Sequence, residues 1–405
     1  MFYLGCGGKP AWLNQNRMTS NSDLANFAAR LRRFIHAAVS SAPAERFDSL
    51  ARDLFALQFK HNPPYRRVCD ARGARPETIA HWSEVPALPT SAFKDLAFSC
   101  LPVEERVVVF HSSGTTERRP SRHFHSPESL GIYEASLWAW FAQHFRLCAP
   151  GAGAGESLPT AHDKVAGPGW QLVIVTPPPA EAPHSSLVHM FDVIRRRLGF
   201  SESVFLAEAS ADGWTLHPAA AVERIRGACS AAQPLVILGT AFSFVHLLDH
   251  LGEHELRFRL PPGSCALETG GYKGRSRALV KTELHGLITR RLGLPACQIV
   301  CEYGMSELSS QAYDVRITSC PATTENTKRR FRFPPWVRVQ IISPETGREA
   351  AEGEKGLIRV FDLANLYSVM GVQTEDLAVR CADGFELIGR AAPAEVRGCS
   401  LAVAP

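Results

Sequence analysis

Short aliphatic and β-branched runs recur along this chain, and each ends in a small polar turn. Val107-Val108-Val109-Phe110 leads into His111-Ser112-Ser113-Gly114-Thr115-Thr116, Leu172-Val173-Ile174-Val175 into Thr176-Pro177, and Leu235-Val236-Ile237-Leu238 into Gly239-Thr240. Runs this short and this uniformly apolar predict buried strands. Between them apolar residues recur at helical spacing: Leu24, Phe27, Leu31, Phe34 and Ile35, then Leu50, Leu54 and Leu57, then Leu187, Met190, Val193 and Ile194. Strands alternating with helices restrict the fold to the α/β class with a largely parallel sheet, where ligands collect at the carboxyl ends of strands.

After residue 330 the texture changes. Val337–Ile342, Gly356–Phe361 and Phe385–Arg390 read as short strands joined by turns, a β-rich subdomain closing one side of a site. Residues Ser129–Phe145 predict a helix whose Tyr133, Trp138, Trp140 and Phe141 are core, and residues 150–169, rich in Gly, Ala and Pro, predict a surface loop. Pro63-Pro64 breaks the helical pattern, and residues 85–89 form a proline-stiffened lead-in to the first turn. At the start, Thr19-Ser20-Asn21-Ser22-Asp23 reads as a helix cap, which makes residues 1–17 a disordered or non-native extension.

Bulk properties exclude several classes. A formal charge of +4 over 405 residues gives no case for nucleic acid or a membrane surface. No apolar run approaches the roughly 20 residues of a membrane-spanning helix. The 11 cysteines include no Cys-x2-Cys pair, and Cys297 and Cys301 stand without a second pair, so no zinc site is expected. Without a secretory signal, reduced thiols in a cytoplasm are the expectation.

The turn after Phe110 has the composition of an oxyanion cradle. Ser112, Ser113, Thr115 and Thr116 offer hydroxyl donors, Gly114 lets a backbone approach closely, and Arg118, Arg119 and Arg122 follow. The spacing is not that of the P-loop. Three later stretches complete the pattern: Leu267-Glu268-Thr269-Gly270-Gly271-Tyr272-Lys273; Glu302-Tyr303-Gly304-Met305-Ser306-Glu307-Leu308-Ser309-Ser310-Gln311; and Gln373-Thr374-Glu375-Asp376, fourteen residues before Arg390.

This ordered set, spread over most of residues 85–400, resembles the adenylate-forming superfamily of acyl-CoA synthetases, peptide-synthetase adenylation domains and luciferases. Within it the chain is similar to the LuxE-type acyl-protein synthetases, ligase subunits of bacterial bioluminescence fatty acid reductases. The narrower likeness is carried by Ala182–Leu187, Leu238–Phe242, Glu302–Gln311, Phe361-Asp362-Leu363-Ala364-Asn365 and Arg397-Gly398-Cys399-Ser400-Leu401.

The resemblance implies an adenylate-forming domain over residues 18–390, with its β-rich part at 331–390. It also implies a short tail, residues 391–405, carrying Cys399 in place of the full mobile C-terminal domain. It implies ATP and Mg²⁺ as cofactors, with Ser112, Ser113, Gly114, Thr115 and Thr116 on the β- and γ-phosphates and Glu117-Arg118-Arg119 where many relatives have Gly-x-Pro-Lys. Tyr303, beside Gly304, would stack on adenine; Glu307 would ligate Mg²⁺; Asp376 would accept from the ribose hydroxyls, with Arg390 beside the ribose and phosphate. Gly271 joins the nucleotide site, and Lys273 is either a surface lysine or a phosphate or carboxylate contact. Cys399, with Arg397 favouring its thiolate, would be the acylated nucleophile.

The implied reaction activates a carboxylic acid, on the resemblance a fatty acid, as an acyl-adenylate. It then moves the acyl group to Cys399 and on to an acyl-accepting protein, a reductase subunit or carrier protein. Two other readings remain open: a stand-alone ligase delivering to CoA, a carrier protein or an amine, and a non-catalytic ATP-binding subunit. Phe242, Phe244 and Tyr272 mark either an apolar acyl pocket or ordinary packing. His184 and His125 read as packing or capping residues.

Overall fold

A computed structural model describes residues 11–40, 45–112, 119–146, 169–210, 213–270, 279–314 and 329–391. Helix α1 (Ala11–Ser40) starts upstream of Met18, so residues 19–23 run inside it rather than capping it. No glycine or proline stands between Ala11 and Met18 to stop the helix, and a cap preference is only local. Helices α2 (Phe47–His61) and α3 (Pro63–Ala71) follow; Asn62 between them caps α3 by accepting from the Tyr65 amide, with Pro63 and Pro64 in the first turn where no amide is missed.

Next come β1 (Leu88–Pro89), α4 (Ala92–Asp95), β2 (Val108–His111), β3 (Arg122–His125) and α5 (Pro127–Arg146). Then β4 (Gln171–Ile174), α6 (Ser186–Leu198), β5 (Ala207–Ser210), β6 (Gly213–Leu216), α7 (Pro218–Ser230), β7 (Leu235–Thr240), α8 (Ala241–Glu253), β8 (Cys265–Thr269), α9 (Lys281–Leu292), β9 (Ile299–Tyr303) and β10 (Ala312–Tyr313) continue the alternation. The chain closes with β11 (Val337–Ile342), β12 (Lys355–Asp362), β13 (Gly371–Cys381) and β14 (Gly384–Arg390).

Two sheets carry the architecture. The first runs β10-β9-β8-β7-β4, parallel except for β10. Apart from Gln171 its strands are buried along their whole length because both faces are covered. Leu172 and Ile174 enter one core with α1, α5 and α6, while Val173 and Val175 enter a second core with α7, α8 and α9. The second sheet is antiparallel through β11, β12, β13 and β14, and β1 joins β13 in parallel, so the proline-stiffened lead-in is also a strand.

Two further expectations change, and for Phe244 one of two open readings is decided. The Val107–Phe110 run is not a fully buried strand: β2 pairs with β3 in a two-stranded hairpin, and only Phe110 of the run is buried while Val107 is 58% exposed. A two-stranded ribbon lacks a second covered face. Phe244 is fully buried in the core beneath α8, on the α7–α9 side of the sheet, so packing accounts for it. Cys69, Cys100, Cys229, Cys265, Cys301 and Cys381 are free thiols, but Cys297 is disulfide-bonded, a pairing that depends on spatial approach and leaves no trace in local spacing. Among the described residues no helix is long and apolar enough to cross a membrane.

Candidate active site

The β2–β3 hairpin presents the hydroxyl-rich turn. Ser112, the turn residue that is described, accepts through Oγ from the Ser121 amide at 3.0 Å, and its own amide donates to the Ser121 carbonyl at 3.3 Å. These two bonds close the neck of the turn; Ser113, Gly114, Thr115 and Thr116 lie outside the described residues, as do Gly271, Lys273 and Cys399. Neighbouring strand ends bring the other residues to the neck. The Ser121 hydroxyl donates to Glu307 Oε1 at 2.5 Å, and the Ser306 hydroxyl donates to Oε2 at 3.0 Å. Glu307 is 4% exposed. A buried carboxylate surrounded by hydroxyls is a set of hard oxygen donors, which fits Mg²⁺ better than a softer metal.

His123 fixes the same segment from below: its Nδ1 lies 2.8 Å from the Ser306 carbonyl, and its ring packs 4.4 Å from that of His125. Burial pushes the His123 imidazole down to about 4 and His125 well below its ordinary value, so both are neutral near pH 7. Neutral His123 therefore donates from Nδ1 to the carbonyl.

Tyr303 ends β9. Its hydroxyl donates to Asp376 Oδ2 at 2.8 Å, and its ring is enclosed edge-on by Phe331, Phe333 and Phe385 at 5.6–6.1 Å. Burial holds the Asp376 carboxyl above its ordinary range, against the lowering effects of the Tyr303 bond and of Arg390. Asp376 faces Arg390 across the β13–β14 pair, yet Arg390 gives its charge-assisted bond to Glu375 Oε2 at 2.9 Å and remains largely exposed. Gly304 separates Tyr303 from the Glu307 segment. A Cβ there would meet Glu302 Oε1, so a larger residue would have to displace that carboxylate.

Tyr303, Gly304, Asp376 and Arg390 thus gather at one end of the Tyr303–Glu307 segment, and Ser112 and Glu307 at the other. His184 lies at the hairpin too, its ring stacked 4.6 Å from His111 and its Nδ1 3.0 Å from the Val109 carbonyl. Glu302, one residue before Tyr303, is bonded by the Thr269 hydroxyl, and burial raises its carboxyl to about 7.

The supports were not assigned roles in the sequence. Asp362 is fully buried and accepts from the Ser309 amide, the Ser310 hydroxyl and the Ala364 amide at 2.8–3.0 Å. Asn365 donates to the Glu307 carbonyl at 2.9 Å and the Val369 carbonyl at 3.1 Å. Gln58 of α2 donates to the Asn365 and Leu366 carbonyls and accepts from the Met370 amide. Ser121 and His123 carry no motif. Asp362 and Asn365 stand in a stretch already singled out by resemblance, and Gln58 and Asn62 show as polar residues one helical turn apart beside the apolar face of α2.

The fold is that of the adenylate-forming ligases. Open 2-hydroxyisobutyryl-CoA ligase, solved with 2-HIB-AMP and CoA, superposes with a TM-score of 0.56 at 16% identity, covering 87% of this chain and 76% of its own. The same ligase in its postadenylation state gives 0.57 at 15% identity, covering 87% and 69%. Within that class, the chain belongs to the acyl-protein synthetase, LuxE family, whose model matches residues 193–404. A long-chain-fatty-acid–luciferin-component ligase of Aliivibrio fischeri is 20% identical over 368 residues, 88% of this chain and 87% of its own.

Proposed function

We propose that this ligase activates a fatty acid with ATP and passes the acyl group through Cys399 to a thiol of a partner protein. The observation that carries the reading is the buried Glu307 carboxylate, held by Ser121 and Ser306 at the neck of the hydroxyl-rich turn. It lies four residues from the Tyr303–Asp376 pair that marks the nucleoside end. Ser112–Thr116 would hold the β- and γ-phosphates through backbone and hydroxyl donors, with Arg118 or Arg119 in place of the missing lysine. Glu307 would hold Mg²⁺, which supplies charge neutralisation to the polyphosphate when bound.

A carboxylate oxygen attacks the α-phosphorus. The new P–O bond forms as the α–β bridging bond breaks, giving acyl-adenylate and pyrophosphate. Positioning and charge neutralisation supply most of the acceleration. The Cys399 thiolate then attacks the acyl carbonyl carbon and AMP leaves with the bonding pair, so the thiol proton is the only other product. The fatty acid rests on the name of the Aliivibrio fischeri relative, and Cys399 on its Arg397-Gly398-Cys399-Ser400-Leu401 context.

The test is ATP–pyrophosphate exchange with fatty and aryl acids on the wild type, Cys399→Ser and Glu307→Gln, with labelled acid followed onto protein. Exchange is expected in the wild type and Cys399→Ser, acid-stable label in the wild type alone, and exchange lowered about 100-fold or more in Glu307→Gln. Label retained by Cys399→Ser would place the acylated residue elsewhere on the protein, and acyl transfer to CoA or an amine that survives Cys399→Ser would favour a stand-alone ligase. ATP binding without exchange for any acid would leave a non-catalytic subunit.

A further inference from the structure

Beneath the candidate site, on the face of the parallel sheet turned toward α9, three different ligand types converge. Glu268 on β8, Cys301 on β9 and His285 on α9 are 2%, 0% and 6% exposed. Cys301 Sγ lies 3.1 Å from Glu268 Oε2 and 3.5 Å from His285 Nε2, and His285 Nε2 lies 3.5 Å from the same Glu268 oxygen. A tetrahedral zinc ion with bonds of about 2.3 Å to sulfur and about 2.0 Å to nitrogen and oxygen separates its ligand atoms by roughly 3.3–3.6 Å. Two of the three separations fall in that range and the Sγ–Oε2 distance is 3.1 Å, so the triangle approximates one face of that tetrahedron.

We infer that Glu268, His285 and Cys301 form a site for a divalent transition metal, zinc by its chemistry. Thiolate, imidazole and carboxylate is a donor set that hard cations do not select. Its two anionic ligands balance a 2+ ion, which relieves the cost of burying a carboxylate and a thiol between a sheet and a helix. Two cations flank the ligands: Lys281 Nζ is 3.8 Å from Glu268 Oε2, and Arg329 Nη1 is 3.7 Å from Cys301 Sγ. Arg329 is itself fixed by Asp314 Oδ2 at 2.7 Å and the Ile299 and Ala296 carbonyls at 2.8 Å.

Three ligands leave a fourth position for water. Two of the three ligands stand one residue before the Thr269–Glu302 pair that precedes Tyr303: Glu268 before Thr269, and Cys301 before Glu302. The metal would lock β8, β9 and α9 in register there. Sequence spacing had excluded zinc because it sought local cysteine pairs, whereas these ligands are 16 and 33 residues apart.

The test uses the full chain, purified without chelator and with any affinity tag removed. Elemental analysis should find one zinc per chain, and Co²⁺ added to the metal-free protein should give a thiolate-to-cobalt charge-transfer band. Cys301→Ser should abolish the band, and His285→Gln and Glu268→Gln should each weaken Co²⁺ binding at least tenfold. A second His/Glu group, His250, Glu253 and His254 on and beside the end of α8, is the internal control. His250→Ala/His254→Ala should leave zinc content unchanged. Absence of retained zinc together with a Co²⁺ spectrum insensitive to Glu268→Gln would overturn the site, as would loss of the metal with the α8 variant. Should Cys301→Ser misfold by circular dichroism, the conservative Glu268→Gln decides. None of these readouts depends on catalysis.

Discussion

At the residue scale, the site is built from carboxylates whose environments differ. Glu307 keeps two hydroxyl donors, whereas Glu302 has burial working against its charge and a single Thr269 hydroxyl bond in its favour. A carboxyl raised to about 7 binds its proton in the folded chain over a pH range where the unfolded chain has lost it. Its contribution to stability is therefore fully present below about pH 4.5 and is lost as pH rises through about 7. Glu302→Gln keeps the shape and the Thr269 partner but removes the titration. Urea unfolding at pH 5 and pH 7.5 should show the wild type losing up to about 3 kcal/mol relative to the variant over that interval. Parallel pH dependences would refute the assignment. His123, pushed down to about 4, acts in the opposite sense, opposing folding as pH falls below about 6.5.

At the scale of elements, helix α2 is an anchor as well as a packing face. Leu50 and Leu54 bury their side chains in the core, as their spacing predicts, Leu57 packs against it half-buried, and Phe55 is buried as well. Gln58 instead satisfies three backbone groups of the segment after β12, and that segment carries the Asn365 side chain that holds the Glu307 carbonyl. Gln58→Ala leaves the Asn365 and Leu366 carbonyls and the Met370 amide buried without that partner. A loss of about 2–3 kcal/mol by urea denaturation is expected, with a several-fold fall in pyrophosphate exchange because the Glu307 segment loses its support. Unchanged stability would show that these groups find other partners. The helical period of α2 was legible because apolar spacing is a local signal. Gln58 was not legible, because its partners are more than 300 residues away.

At the scale of the molecule, one core joins both sheets. Leu172, Leu238, Leu267 and Val300 of the parallel sheet belong to the same buried cluster as Ile341, Ile358, Val360 and Val372 of the antiparallel sheet, together with Leu31, Leu54 and Leu137. Trp336, fully buried before β11, donates to Ser136 on α5 at 2.8 Å. A β-rich part with its own core would unfold by itself, but this one shares its apolar face with the α/β part. Tryptophan fluorescence and far-ultraviolet circular dichroism should therefore report one coincident urea transition. Two separated transitions would mean that the sheets are energetically independent.

The amino-acid order alone determined the α/β class, the doubly covered strands at Leu172–Val175 and Leu235–Leu238, and the motifs that carry Tyr303, Glu307, Asp376 and Arg390. The strands are readable because burial imposes a local period, and the four motif residues because their stretches resemble those of a known family. The tertiary structure decided what lies between distant segments: the Ser121 and Ser306 hydroxyls on Glu307, the pairing of Tyr303 with Asp376, the capture of Arg390 by Glu375, and the meeting of Glu268, His285 and Cys301. Hydrogen bonds and ligand triangles of this kind depend on strand register and on which face of a sheet each residue occupies, and neither leaves a periodic trace in the chain.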